Sequence, residues 1–197
     1  MNLRTLLTVL ALALLPLTSC MSPKGDTPAE QRINAIASRD LVLEKVKVRD
    51  THMMEELPRY PGYLTWDGGS AHLGVISLAS GFMTVTDLKT QKIVYRKFFR
   101  FGLGPGLAFK GFYGLAVIKD EKLLQKFMTE SSFNMGAGAE ASFIFGSFGG
   151  SAVAEATFSD DIDVNIHTST GVALELFAAG LWSWNNKTLN EPDSVKP

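Results

Sequence analysis

The chain has 197 residues, of which 46% are apolar and 20% charged, a composition that excludes an intrinsically disordered polymer and fits one globular domain. Its 19 Lys and Arg residues balance 20 Asp and Glu residues, so the net charge gives no reason to expect a nucleic-acid partner. The single cysteine excludes an internal disulfide, a multi-cysteine zinc site and a cysteine-held iron–sulfur cluster.

The first twenty residues have the pattern of an export signal. Arg4 is followed by an apolar run that ends at Leu17, and Thr18-Ser19-Cys20 comes next. The run is shorter than the ~20 residues that a membrane-spanning helix needs. The pattern resembles the signal peptide of bacterial lipoproteins, whose cysteine receives a diacylglyceryl group before cleavage. The resemblance implies a signal peptide over residues 1–19 and a lipidated Cys20 at the mature N-terminus.

The residue after the cysteine bears on the location. Met21 stands there rather than Asp, which by the same resemblance implies sorting to the periplasmic face of the outer membrane. The protein is therefore expected to be lipid-anchored in the bacterial cell envelope. We expect a lipidated tether over residues 20–27, a domain over 28–190 and a C-terminal tail over 191–197.

Two helical stretches are predicted before the first strand. Thr27-Pro28-Ala29-Glu30 supplies an N-cap, a proline at the first helical position and the acid of a capping box. An apolar stripe follows at Ile33, Ile36 and Ala37. A second stretch runs from Asp40 to Leu57, with apolar residues mostly at helical spacings, and ends at Pro58.

After Gly62 the sequence changes to short β-branched and aromatic runs separated by Gly, Asp and Asn. The strands are predicted at Tyr63–Trp66, His72–Ser77, Phe82–Thr86, Lys92–Phe101, Leu107–Ile118, Phe133–Phe145, Ser151–Phe158, Asp163–Thr168 and Val172–Ala179. A hairpin turn is predicted at 87–91, and a helix at 120–129 with Asp120 as its cap.

The expected fold is α+β. The N-terminal helical segment packs on a curled, mainly antiparallel β-sheet, as a sandwich or partial barrel, with one further helix. Curling is expected because ten of the 18 glycines lie within residues 102–150, and glycines in strands mark bends and close backbone approach.

No motif for catalysis, a cofactor or a metal is found. His52, His72 and His167 share no ligand spacing, and His52 with its neighbouring glutamates is better explained as a solvated helix face. Four polar residues alternate along one predicted strand but lack the EF-hand spacing: Asp161, Asp163, Asn165 and His167. The glycine-rich segment 102–106 is not followed by Gly-Lys-Ser/Thr. We therefore expect a non-enzymatic protein without a cofactor.

Basic residues are concentrated in one stretch. Residues 88–119 contain no acid and seven basic side chains, whereas residues 127–197 contain nine acids and two lysines. Five basic residues are predicted to bind anionic lipid: Lys92, Arg96, Lys97, Arg100 and Lys110. The alternative is that these charges only protect exposed strand edges from pairing.

Between Ala35 and Asn190 the order of the segments resembles the SYLF domain family. The segments are Pro61-Gly62-Tyr63, Phe101-Gly102-Leu103-Gly104-Pro105-Gly106, Leu115-Ala116-Val117-Ile118, Leu124-Gln125-Lys126-Phe127, Gly136-Ala137-Gly138-Ala139-Glu140-Ala141, Ser169-Thr170-Gly171-Val172-Ala173-Leu174-Glu175-Leu176 and Thr188-Leu189-Asn190. Thr170 stands where many members have Lys, and a longer Thr/Asp/Lys hairpin replaces their glycine-rich first half. The resemblance implies a lipid-binding module without catalytic residues. Eukaryotic members also bind actin, which is absent from the bacterial envelope.

Together these observations predict an envelope lipoprotein whose domain binds phospholipid or another lipid. The membrane, through Cys20, and anionic lipid are the expected partners. The alternative is a structural or assembly lipoprotein that binds an envelope protein. A hydrolase would need a polar pocket that the sequence does not indicate.

Overall fold

The computed structural model describes residues 22–135, 143–147, 154–155, 162–168 and 175–191, and it has the α+β architecture predicted from sequence. The helices are α1 (Pro28–Arg49), α2 (Thr51–Glu56), a 3₁₀ turn (Leu57–Arg59), α3 (Glu121–Thr129) and α4 (Lys187–Asn190). The strands are β1 (Gly62–Asp87), β2 (Ile93–Ile118), β3 (Ser132–Met135), β4 (Phe143–Ser147), β5 (Ala154–Glu155), β6 (Ile162–Thr168) and β7 (Glu175–Asn185).

A hairpin of two 26-residue strands forms the centre of the antiparallel sheet. β1 pairs with β2 along its whole length, with one register shift between Gly74 and Ile76. The other edge of β2 pairs with β7 over residues 96–103 and with β6 over residues 112–118. β3 and β4 pair with β7, and β5 pairs with β6. β2 is therefore the central strand, since β1, β6 and β7 all pair with it.

Several predicted strand limits were wrong because the long hairpin carries glycines inside it. The three strands expected before the turn are one strand, β1, and the two expected after it are β2. Within the predicted strand 133–145 the structure has parts of β3 and β4, and residues 136–142 lie outside the described residues. Of the predicted strand 151–158 only 154–155 are described, and β7 extends six residues beyond its predicted end at Ala179.

The turn of the long hairpin forms where it was predicted. Asp87 Oδ1 accepts hydrogen bonds from the backbone N–H of Lys89 at 2.8 Å and of Thr90 at 3.0 Å. Gln91 has a left-handed backbone with φ of 59° and completes the reversal. Burial raises the pKa of Asp87, but these hydrogen bonds outweigh it and hold the pKa below the ordinary 3.8.

The first and last parts of β1 lie against each other, which closes the curl of the sheet. Thr65 Oγ1 and Thr84 Oγ1 share a buried hydrogen bond of 2.8 Å across this seam. A β-carbon placed on Gly68 would overlap the carbonyl oxygen of Ser80, and one on Gly81 would overlap that of Asp67. The two glycines are needed because the backbones approach too closely for any side chain.

The inner face of the curled sheet forms the main core. It contains the following buried side chains from both halves of the hairpin and from α3: Leu64, Trp66, Ala79, Met83, Val85, Val94, Phe98, Phe112, Ala116, Ile118, Leu124, Phe127 and Met128. α3 begins as predicted, since the side chain of Asp120 accepts from the backbone N–H of Lys122 at 2.9 Å. Its buried stripe covers this core.

α1 covers the outer face of the same sheet. Val42 and Val46 pack with Tyr63, Tyr113 and Leu115 in a second cluster of buried residues. The predicted capping box is present, and the helix continues without a break through Asp40. Ile33 does not face the core, because it is 67% exposed, whereas Ala35 two residues later is fully buried.

Candidate functional site

Arg96, one of the five predicted lipid-binding residues, lies inside the protein with 0% exposure. Its Nε donates to Ser183 Oγ at 2.8 Å and its Nη2 to the carbonyl oxygen of Ser183 at 3.3 Å. Its Nη1 donates to the carbonyl oxygens of Phe127 at 3.0 Å and Glu130 at 2.7 Å. Arg96 therefore joins β2, β7 and the end of α3, and its guanidinium cannot meet a lipid surface.

The surroundings of Arg96 also affect its ionisation. Burial lowers the pKa of the guanidinium, and the charge of Glu130 opposes that shift. The two carbonyl groups that it reaches on this side lie at the C-terminal end of α3, where backbone oxygens lack partners within the helix and carry partial negative charge. The arginine thus caps α3 from inside the core.

Of the other four predicted residues, those whose side chains the structure describes do not lie on one face. Arg100 is buried on the inner face, with its guanidinium carbon 5.5 Å from the centre of the Phe112 ring. Lys92 is exposed beside the hairpin turn, and Lys97 is half-buried on the outer face. The side chain of Lys110 lies outside the described part of the structure. Because alternate residues of a strand point to opposite faces, Arg96 and Arg100 point inward and Lys97 points outward, and the burial of the two arginines argues against their predicted contact with lipid.

Aromatic side chains occupy the outer face where β2 meets β7. Phe99 is paired with Trp182 across the strands, and their ring centres lie 6.4 Å apart. Phe101 and Trp182 are each 38% exposed. We call Phe99, Phe101 and Trp182 the aromatic patch. Lys97, two residues from Phe99 on the same face, pairs with the half-buried Trp184.

Exposed apolar side chains also occur on α1. In the part of the chain that the structure describes, the large apolar residues counted as exposed are Ile33, Leu41, Val48, Phe101 and Trp182. Three of these belong to α1 and two to the aromatic patch. Sequence analysis missed both groups, although the alternation of Lys97, Phe99 and Phe101 with inward-facing residues was a readable signal.

The segment that precedes α1 is fastened to the helix. Asn34 Nδ2 donates to the carbonyl oxygen of Lys24 at 2.8 Å, and Gln31 Nε2 donates to that of Gly25 at 3.0 Å. Glu30 Oε2 accepts from the backbone N–H of Asp26 at 2.9 Å. Pro23 is buried. The chain is therefore held in place from Pro23 onward, so most of the predicted tether is part of the fold.

The start of α1 lies next to α4, the short helix that follows β7. Arg32 Nε donates to the carbonyl oxygen of Leu189 at 2.8 Å, and its Nη2 donates to that of Glu191 at 2.7 Å. Trp182 lies three residues before the end of β7 at Asn185, which corresponds to about 10 Å along a strand. α1 thus begins beside α4, and α4 follows the strand that carries Trp182 of the aromatic patch.

The histidines and acids of the described residues form no group that could hold a metal ion. His52 Nε2 lies 3.9 Å from Glu56 Oε1 on an exposed helix surface, and within the described ranges no three His, Cys, Asp or Glu residues could hold a metal ion. The side chains of His72, Asp163, Asn165 and His167, and all of Asp161, lie outside the described part.

Comparison with known proteins adds no relative. No protein-family model matches the chain, and no curated protein shows significant sequence similarity to it. Among the helices of the described ranges, none is both long enough and apolar enough to cross a membrane.

Proposed function

We propose that the protein is a non-enzymatic lipoprotein of the bacterial envelope, anchored through Cys20, whose domain binds the phospholipid surface of its own membrane. The observation that carries this proposal is the aromatic patch, with Phe101 and Trp182 exposed beside Lys97. The SYLF-like order of segments supports a lipid ligand. The periplasmic face of the outer membrane is the proposed location because Met21 follows the cysteine.

The patch has the chemistry of a membrane interface. Tryptophan and other aromatic rings favour the headgroup region, where one part of the ring is apolar and another can remain hydrated. A lysine near an anionic surface adds about 1 kcal/mol. Such a contact is weak by itself, but an anchored domain meets the lipid at a high effective concentration. The anchor and the patch therefore act together.

The proposal is tested by the fluorescence of the acylated full-length chain in vesicles of phosphatidylethanolamine and phosphatidylglycerol that carry brominated acyl chains. Bromine quenches only nearby indole rings, so we expect quenching in which Trp182 accounts for the largest part. Trp182→Phe should remove most of it while keeping an aromatic ring in the patch. Trp66→Phe is the matched control, because Trp66 is buried in the core, and it should leave the quenching unchanged.

The salt dependence of the quenching distinguishes an apolar contact with the bilayer from an electrostatic one. The Debye length falls from ~10 Å at 0.1 M salt to ~3 Å at 1 M, which would weaken binding through a basic face. Because Arg96 and Arg100 are buried, we expect quenching to change little over this range. Unquenched Trp182 in the anchored protein would contradict the proposal. A stoichiometric protein that co-purifies through the patch would then favour the assembly lipoprotein.

Acylation of Cys20 gives a separate prediction. Cys20→Ser removes the thiol that receives the lipid, so we expect the protein to accumulate unprocessed or to move to the soluble fraction. Two acyl chains suffice for stable anchoring, whereas the patch alone gives reversible binding. The measurement is detergent phase partitioning and the mass of the N-terminal fragment. A Cys20→Ser variant that is still cleaved before residue 20 and stays with detergent would refute acylation at this site.

A further inference from the structure

Several apolar side chains form a stripe along the exposed face of α1. At 100° per residue, Ile33, Ala37, Leu41 and Val48 fall within an arc of about 80°. We call these four residues the outer stripe. Ile33, Leu41 and Val48 are 67%, 48% and 82% exposed. The buried residues of α1 lie on the opposite side of the helix and contact the sheet, so the outer stripe points directly away from the domain.

The proposed lipid anchor on Cys20 brings the outer stripe close to the apolar part of a bilayer. Cys20 lies three positions before the buried Pro23 in the sequence, a separation that a fully extended chain spans with about 10 Å. The following residues are bonded to the first turns of α1 through Asn34 and Gln31. A lipid on Cys20 therefore holds α1 close to the bilayer surface, with little freedom to move away from it.

A lipid surface, which leaves a charged side chain in contact with water, suits this face of α1 better than a second copy of the chain does. Glu44 is exposed and falls within the arc of the outer stripe, and the exposed Lys47 lies about 40° beyond one edge of that arc. Packing the outer stripe against a second copy of the chain would bury Glu44, and its carboxylate would lose its water. At a bilayer surface the same carboxylate stays hydrated at the headgroup level, and Lys47 can reach lipid phosphates.

We propose that α1 lies on the phospholipid bilayer with its outer stripe in the interface, as a second contact of the domain besides the aromatic patch. This inference rests on the proposed function, since it requires the Cys20 anchor. It gives the domain a fixed orientation on the membrane.

The test uses the acylated full-length chain with one new cysteine, Leu41→Cys, bearing a nitroxide spin label. Cys20 is the only native cysteine, and its acylated sulfur cannot react with the label. In vesicles of phosphatidylethanolamine and phosphatidylglycerol, we expect the label at residue 41 to be open to oxygen and shielded from a water-soluble nickel chelate. The matched control is Gln125→Cys on the exposed side of α3, where the chelate should have free access. Val48→Cys provides a second position on the stripe.

Each result supports or overturns the inference. Shielding at residues 41 and 48 but not at 125 supports it. Equal access of the chelate to all three labels, while Trp182 is still quenched by brominated lipid, overturns it and leaves the proposed function intact. Loss of both signals, or labelling of the parent chain at Cys20, means that the proposed function itself has failed. Spin–spin broadening at residue 41 would place a second copy on the stripe and also overturns it.

Discussion

Arg96→Ala is expected to lower the free energy of unfolding by about 3–5 kcal/mol. The change removes four hydrogen bonds from a fully buried side chain and leaves a cavity between β2, β7 and α3. The carbonyl oxygens of Phe127 and Glu130 each lose the hydrogen bond that Arg96 donates, and a hydrogen bond to a charged group contributes about 1.5–3 kcal/mol. Urea denaturation of the purified protein, followed by tryptophan fluorescence, measures the change.

Two companion variants isolate the cause. Arg96→Met restores much of the volume without the donors, so it should remain less stable than the parent by about 2 kcal/mol or more. Lys97→Ala is the matched control, because it removes the neighbouring charge from the outer face and should change stability by about 0.5 kcal/mol at most. Equal unfolding midpoints for Arg96→Ala and Lys97→Ala would show that Arg96 does not hold the three elements together.

Gly81→Ala is expected to destabilise the protein by about 2–4 kcal/mol, since the added methyl group has no space at the seam of β1. It would overlap the carbonyl oxygen of Asp67 and lie 2.7 Å from the ring of Phe98. The ring can move, but the carbonyl belongs to the backbone of the facing segment. The thermal midpoint and the free energy of unfolding should both fall.

A second buried position on β1 serves as the control. Thr86 Oγ1 has no hydrogen-bond partner in the structure, so Thr86→Val keeps the shape and removes an unpaired hydroxyl. This variant should be as stable as the parent or slightly more so. If Gly81→Ala unfolds at the same urea concentration as Thr86→Val, the close approach of the two backbones at the seam is not present in solution.

Elements that depend on neighbouring residues were predictable from the sequence. The starts of α1 and α3 follow from Thr27 with Glu30 and from Asp120, whose side chains bond to nearby backbone groups. The turn after Asp87 follows from the same kind of local bond. These signals act over a few residues, so no knowledge of the rest of the fold is required.

The ends of the strands and the position of the candidate site depend on distant contacts. Glycine runs suggested breaks in β1 and β2, but pairing along the full hairpin outweighs the local preference for bends. The register shift after Gly74 also exchanges the faces, so that Trp66 and Met83 both point into the core although one number is even and the other odd. On β2 the alternation is unbroken, with Phe98 and Phe112 both in the core, but a run of basic residues alone does not indicate which of Arg96 and Lys97 is buried.

The great length of the β1–β2 hairpin dictates an order of assembly. Pairs next to the turn, such as Thr86 with Ile93, are close in sequence, whereas Gly62 must find Ile118 from the far ends of the two strands. Since the entropy cost of closing a loop rises with its length, pairing proceeds from the turn outward. Until the second half of β2, up to residue 118, is available for pairing, the first half of β1 has an unpaired edge that can bind another chain. A chain synthesised from its N-terminus therefore passes through this exposed stage before α1 has a complete sheet to cover.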